Sequence, residues 1–160
     1  MALANGASSV GILDVDAHCG GGTFEILGAN PAVCIGDVST NGYDSWSSGS
    51  TRHRLEIDTD PETYLDTVAE MLEHIGKVDL LLFNAGMDPA EGGSAGSTRG
   101  FTSELLEARE RLVAEWCERT STPVAFVLAG GYVGSGLTLD DVADLHMHTV
   151  AAIADIDVAR

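Results

Sequence analysis

The chain of 160 residues has the length of a single domain, residues 1–160, with one hydrophobic core. Hydrophobic residues make up 44% of it, yet no apolar run approaches the roughly 20 residues that span a membrane, and three widely spaced cysteines favour reduced thiols in the cytoplasm over a disulfide framework. With 25 acidic residues against 8 basic ones, the formal charge of −17 disfavours direct binding of nucleic acid and favours cationic ligands.

The hydrophobic pattern predicts five short β-strands. Apolar runs bounded by turn residues are typical of strands buried in a parallel sheet. The predicted strands span residues 10–14, 33–38, 53–58, 78–86 and 123–131. The third strand is the weakest, because its polar and apolar residues alternate as they do at the edge of a sheet.

Three amphipathic helices are predicted after the third, fourth and fifth strands. The first follows a cap at Thr59 with Pro61 in its first turn, the second opens at Phe101 and Thr102, and the third begins at a capping box on Thr138. The residues predicted to face inward are Leu65, Val68, Leu72 and Ile75, then Leu105, Leu112 and Trp116, then Val142, Leu145 and Ile153. Strands that alternate with helices predict a three-layer α/β fold with a parallel sheet of about five strands.

The chemically reactive residues follow the predicted strands. In such sheets ligands bind beyond the carboxyl ends of the strands, and Asp14, Asp16 and His18 follow the first strand, Asp88 the fourth and Tyr132 the fifth. Side chains two apart on extended backbone point the same way, so Asp16 and His18 can converge, with Asp88 as a third ligand. Two carboxylates and an imidazole suit a catalytic zinc site, and they also admit Fe²⁺, Mn²⁺ or Co²⁺.

Three stretches carry a resemblance to a known family. They are "ILDVDAHCGGGT", "DLLLFNAGMDP" and "FVLAGGY", and the helix after "GFTSELL" fits as well. In this order and at this spacing the chain resembles the carboxyl-terminal half of the histone deacetylase family, which has the arginase–deacetylase fold. The resemblance implies zinc-dependent hydrolysis of an acetyl amide, from a small molecule or a peptide.

The resemblance also implies roles for individual residues. Asp16, His18 and Asp88 match the zinc ligands of the family, and Tyr132 matches the tyrosine that donates a hydrogen bond to the scissile carbonyl. Asp14 matches an aspartate that helps to hold a monovalent cation, K⁺ or Na⁺. The remaining site residues on this interpretation are Asp37 at the cation site and Gly20, Gly130, Gly131 and Trp46 at the substrate pocket.

The chain departs from the family pattern at three points, and the first of them weakens the expected activity. The family uses two adjacent histidines before the D-x-D-x-H strand as general base and acid, and the residues here, "MALANGASS", contain none. Asp37 replaces a serine, and Cys19 replaces a second histidine. Loss of a general base typically forfeits a factor of about 10² to 10⁴ in rate. We therefore expect a chain that binds metal but hydrolyses poorly alone, as a split subunit or a truncated form.

The resemblance implies the strand order fifth, fourth, first, second, third, which leaves the fifth strand as an apolar edge. An unpaired apolar edge invites pairing with another chain. We therefore expect a homodimer, or a complex with a separate amino-terminal half, sealed along Val124–Leu128.

Several alternatives stay open on the sequence. One is a non-catalytic metal-binding or assembly module of the same fold. Another is a doubly wound, flavodoxin-like domain in which the aspartates only cap turns. Within the loop at residues 39–51, Tyr43 and Trp46 could line an acyl-lysine channel or could simply pin the loop to the surface.

Overall fold

The computed structural model of the protein describes residues 1–156, which contain five β-strands and four α-helices. In chain order these elements are β1 (Val10–Asp14), α1 (Gly21–Leu27), β2 (Val33–Ser39), β3 (Arg54–Ile57), α2 (Tyr64–Ile75), β4 (Leu80–Gly86), α3 (Ser103–Thr120), β5 (Val124–Ala129) and α4 (Leu139–Ala154). Among these residues no helix combines the length and the hydrophobicity needed to cross a bilayer.

The strands form one parallel sheet in the order β3-β2-β1-β4-β5, which confirms the predicted order. The register sets Asp14 at the end of β1 beside Asp37 of β2 and Asn84 of β4. Because all five strands run the same way, their carboxyl ends lie along one edge of the sheet, where the reactive side chains follow.

The main core lies on the face of the sheet that α2, α3 and α4 cover. Val68, Leu72 and Ile75 of α2 are buried there as predicted. On α3 the inner stripe is shifted by one residue from the prediction, so Leu106 and Val113 are fully buried while Leu105 and Leu112 pack only at its margin.

Two helix starts test the predicted caps. The capping box of Thr138 and Asp141 is present at the start of α4. The predicted cap at Thr59 is wrong, since α2 begins only at Tyr64. The carboxylates of Asp58 and Asp60 accept hydrogen bonds from the backbone two residues on, and these turns compete with the helix over residues 58–62.

Helix α1, which the sequence analysis missed, lies against the second face of the sheet. Its first two residues are glycines, which are poor helix formers. Packing compensates, because the ring of Phe24 stacks on Trp46 at 4.3 Å between centroids and the pair packs against Ile12, Val33 and Ile35. Tertiary contact, which a local pattern does not reveal, therefore stabilises this helix.

Beyond α1, the second face of β4 and β5 is bare within the described residues. An open, mainly apolar groove of about 530 Å³ runs from Asp14 past Leu82 to Val127. Side chains of 37% and 56% exposure at Leu82 and Val127 are unusual on the face of a parallel sheet, which is normally covered on both faces.

Candidate metal centre

Asp16, His18 and Asp88 lie together at the carboxyl edge of the sheet. One ligand atom from each lies within 4.8 Å of the others. His18 Nδ1 is 3.0 Å from Asp16 Oδ1 and 3.1 Å from Asp88 Oδ2. Two carboxylate oxygens and an imidazole nitrogen that close on one point could hold a divalent metal ion, and such a donor set leaves a further position for water or substrate.

Turns in the loop after β1, rather than strand alternation, bring Asp16 and His18 together. Strand β1 ends at Asp14. The backbone N–H of Asp16 then donates to Asp14 Oδ1 at 3.1 Å, and the N–H of His18 donates to Asp16 Oδ1 at 2.9 Å. Each aspartate thus fixes the residue two positions on. Asp16 and His18 converge as expected, but through these turns and not through the alternation of side chains along a strand.

Two glycines allow the strand ends to approach the carboxylates closely. A Cβ at Gly86, the last residue of β4, would lie 2.6 Å from Asp16 Oδ2. A Cβ at Gly130, just after β5, would overlap the carboxylate of Asp88 and lie 2.9 Å from Asp16 Oδ2. The N–H of Gly131 donates to Asp88 Oδ1. Backbone therefore encloses the two carboxylates where side chains do not fit.

Tyr132 directly follows Gly130 and Gly131. Its side chain is 48% exposed, and Gly131 next to it is hydrogen-bonded to Asp88. His146 of α4 supports the same turn, because its Nε2 lies 3.2 Å from the carbonyl oxygen of Gly130. His146 therefore lies beside a strand end, although it belongs to a helix.

A second pair of carboxylates, Asp14 and Asp37, lies beside the first. A Cβ at Gly20 would be 2.9 Å from Asp14 Oδ2 and 3.5 Å from Asp37 Oδ2. Burial, followed by the charge of Asp37, raises the pKa of Asp14 to about 7. Burial also raises the pKa of Asp37 and of Asp88. Carboxylates so crowded favour a bound cation, which would offset their mutual repulsion.

The sequence left open whether the aromatic residues of the loop at residues 39–51 line a substrate channel or pin the loop to the surface. Trp46 and Tyr43 differ in this respect. Trp46 stacks on Phe24 and donates from Nε1 to Asp37 Oδ2 at 2.8 Å, so it pins the loop. Tyr43 is 74% exposed, and its ring lies edge-on to His18 at 5.8 Å between centroids. Tyr43 is therefore the aromatic residue of this loop that borders the triad.

Two charged residues that were not predicted from the sequence lie in the core below the triad. Arg109 and Glu110 of α3 are both fully buried and form an ion pair. Leu106, Arg109, Glu110 and Val113 follow the i, i+3, i+4, i+7 spacing of a single helix face. That spacing was the available signal, and it was overlooked because charged residues rarely occupy an inner face.

Apart from His146, the other histidines of the chain bond away from the triad. Both ring nitrogens of the buried His53 are occupied, by the N–H of Ile35 and by the carbonyl of Gly28. His148 bonds to the Ser103 hydroxyl at 2.8 Å. Within residues 1–156, therefore, no adjacent histidine pair stands beside the triad.

The chain resembles known proteins over nearly its whole length. A family profile described as Histone deacetylase domain matches residues 1–150. An uncharacterized protein of Picosynechococcus sp. is 33% identical over 133 residues, which cover 79% of this chain and 43% of that protein.

Two solved structures share the fold. The acetylpolyamine aminohydrolase from Burkholderia pseudomallei is similar with a TM-score of 0.77 at 18% identity, over 97% of this chain and 47% of that one. The histone deacetylase Clr3 is similar with a TM-score of 0.68 at 17% identity, over 98% of this chain and 28% of that one. This chain thus spans less than half the length of these relatives.

Proposed function

This chain belongs to the histone deacetylase family, and on that premise we propose that it carries the metal centre of a zinc-dependent hydrolase of acetyl amides. The convergence of Asp16, His18 and Asp88 is the observation that carries the proposal. Fe²⁺, Mn²⁺ and Co²⁺ are alternative ions for this donor set. Family membership replaces the flavodoxin-like interpretation of the aspartates.

The donor set defines what the ion and the chain each contribute. When bound, a divalent ion supplies Lewis acidity toward a carbonyl and lowers the pKa of water. Asp16, His18 and Asp88 would hold the ion. Tyr132 would donate a hydrogen bond from its hydroxyl to the negative charge that develops on the substrate oxygen. Gly20, Gly130 and Gly131 would allow the acyl group close to the backbone, and Asp14 with Asp37 would hold K⁺ or Na⁺.

The substrate is proposed to be a small-molecule or peptidyl acetyl amide. The formal charge of −17 favours a cationic one, such as an acetylated polyamine or an acetyl-lysine peptide. The three cysteines are free, which agrees with a reducing compartment such as the cytoplasm. The general base would come from histidines outside these 160 residues, on another chain or another segment.

Replacement of Tyr132 by Phe is expected to separate catalysis from metal binding. Loss of one donor to the oxyanion should lower the residual hydrolysis of an acetyl-lysine substrate by about 10² to 10³. The stabilisation of the protein by added Zn²⁺ should not change, because no ligand is lost. The variant Asp16→Ala should lose both the residual hydrolysis and the stabilisation by Zn²⁺. Wild-type hydrolysis in both variants would contradict the proposed mechanism.

A non-catalytic metal-binding or assembly module is the second candidate. It is favoured by the other histidines, which bond elsewhere, and by the exposure of Tyr132. The same pair of variants distinguishes it from the enzyme. A module would bind Zn²⁺ in the wild type and in Tyr132→Phe with equally low hydrolysis in each.

We further propose that the outer edge of β5 and the adjoining groove are covered by another polypeptide. Within the described residues β5 pairs only with β4, and Phe126, Val127 and Leu128 are each at least one-third exposed. The groove ends at Asp14, next to the triad. A chain seated there, a second copy or a separate amino-terminal half, could bring a general base to the site.

The purified chain is therefore expected to associate with itself through this apolar edge. The substitution Val127→Lys places a charge on the outermost strand and should shift light scattering toward the monomer. Ile26→Lys is the matched control, because Ile26 is a 79% exposed apolar residue on α1 and its replacement should leave the association unchanged. A wild-type chain that stays monomeric at all concentrations would contradict self-association along β5.

A further inference from the structure

We propose that Arg109 is a positioning residue of the metal centre, one that ties together from below the two strand ends that carry the ligands. The inference rests on the proposed binding of a metal by Asp16, His18 and Asp88. It concerns a residue of the inner face of α3 that touches neither the ion nor the substrate.

The contacts of Arg109 reach the backbone of one strand end and a side chain of the other. Its side chain is completely buried. Nη1 donates to the carbonyl oxygen of Val15 at 3.3 Å, and Nη2 lies 3.5 Å from Met87 Sδ. The planar guanidinium presents several donors in fixed directions, so one group can hold both neighbours at once.

Val15 and Met87 are the residues that lead directly into the ligands. Val15 precedes Asp16 in the loop after β1, and Met87 precedes Asp88 after β4. Both are fully buried. A shift of either residue would move a carboxylate oxygen by a similar amount, and contacts that orient ligands in this way typically change metal affinity when they are lost.

Glu110 keeps this cation in the core. The Nε of Arg109 donates to Glu110 Oε1 at 2.8 Å. Burial opposes the charge, but Glu110 and then Tyr64 outweigh it and raise the pKa of Arg109 above its ordinary value. The other oxygen of Glu110, Oε2, has no hydrogen-bond partner within the described residues. The carboxylate of Glu110 is thus buried with only one of its two oxygens hydrogen-bonded.

A purely structural role is the competing explanation, and it makes a different prediction. A buried ion pair is weak evidence for stability, because apolar residues of similar volume can replace both partners without loss of folding. If the pair only fills the core, such a replacement should leave the metal site unchanged. If Arg109 positions the ligands, the replacement should weaken the site in a protein that still folds.

The experiment compares Co²⁺ binding by the wild type with that of Arg109→Met/Glu110→Met and of Arg109→Lys, each checked for folding by circular dichroism. We expect the folded double variant to bind Co²⁺ about 10- to 100-fold more weakly, with altered visible bands that report a changed ligand geometry. The variant Arg109→Lys keeps the charge opposite Glu110, but its compact ammonium lacks the planar fork of donors that reaches both Val15 and Met87, so it too should bind Co²⁺ more weakly.

The matched control is Arg111→Gln/Glu107→Gln, which removes an exposed ion pair of the same helix and should leave affinity and spectrum unchanged. Wild-type affinity and spectrum in the folded double variant would overturn the role of Arg109. If the double variant does not fold, wild-type binding by Arg109→Lys would overturn it. A wild type that binds no Co²⁺ would instead contradict the metal centre itself and, with it, this role.

Discussion

Added Zn²⁺ is expected to raise the melting temperature of this chain, and the substitution His18→Ala is expected to abolish the rise. An ion that binds only the folded state stabilises it by about 2.7 kcal/mol at 100 times its dissociation constant. In a chain of this length each 1 kcal/mol corresponds to about 2–4 °C, so the expected rise is about 5–10 °C. Differential scanning fluorimetry with and without Zn²⁺ measures it directly.

The size of the effect follows from the position of His18 in the triad. Its Nδ1 lies within 3.1 Å of oxygens from both Asp16 and Asp88, so it is the one nitrogen donor between two carboxylates. His74→Ala is the matched control, because His74 is a helical histidine that bonds to the carbonyl of Arg52, away from the triad. An equal Zn²⁺ response in His18→Ala and in the wild type would place the ion elsewhere and contradict the site.

The second large effect is expected from a single methyl group, in Gly130→Ala. A Cβ at this position would overlap the carboxylate of Asp88, so either the carboxylate or the turn after β5 must move. Overpacking of this kind typically costs about 1–3 kcal/mol of stability. We expect the Zn²⁺-dependent rise in melting temperature to be lost in addition, because the displaced Asp88 no longer faces His18.

A control for Gly130→Ala must separate the clash from the backbone conformation. Gly130 has φ of +58°, a value that L-residues rarely adopt. Gly76, after α2, has φ of +65°, but a Cβ there would have its nearest neighbour at 3.9 Å. Gly76→Ala should therefore lower stability and keep the full response to Zn²⁺. A normal Zn²⁺ response in Gly130→Ala would show that the carboxylate does not need this space.

Much of the fold was predictable because its signals are local. Four of the five strands are short apolar runs bounded by turn residues, the third alternates polar and apolar residues, and each is found close to its predicted limits. Helix α1 was not predictable from propensity, since two of its seven residues are glycines and its stability comes from Phe24 packing on Trp46. The start of α2 was predicted too early because Asp58 and Asp60 favour turns over the helix.

The residues of the candidate site could be predicted from the sequence, but the contacts that hold them in place could not. Acidic residues and a histidine after two strands pointed to Asp16, His18 and Asp88, because the ends of neighbouring parallel strands must meet. Their fine geometry depends on side-chain-to-backbone turns within the loop. The contacts of Arg109 join residues 94 and 22 positions away along the chain, and such distances leave no trace in a local pattern.

The strands β1 and β4, which lead into the loops with all three proposed metal ligands, are flanked by hydrogen-bonded neighbours on both sides. Local opening in proteins starts where backbone hydrogen bonds are exposed, which in this sheet is at β3 and β5. Fraying of β3 would leave the loops after β1 and β4 in register, whereas fraying of β5 would loosen the turn whose Gly131 N–H donates to Asp88. Amide protons of β1, β2 and β4, which each have neighbours on both sides, should consequently exchange most slowly, and a companion chain paired along β5 would slow the opening of the turn beside Asp88.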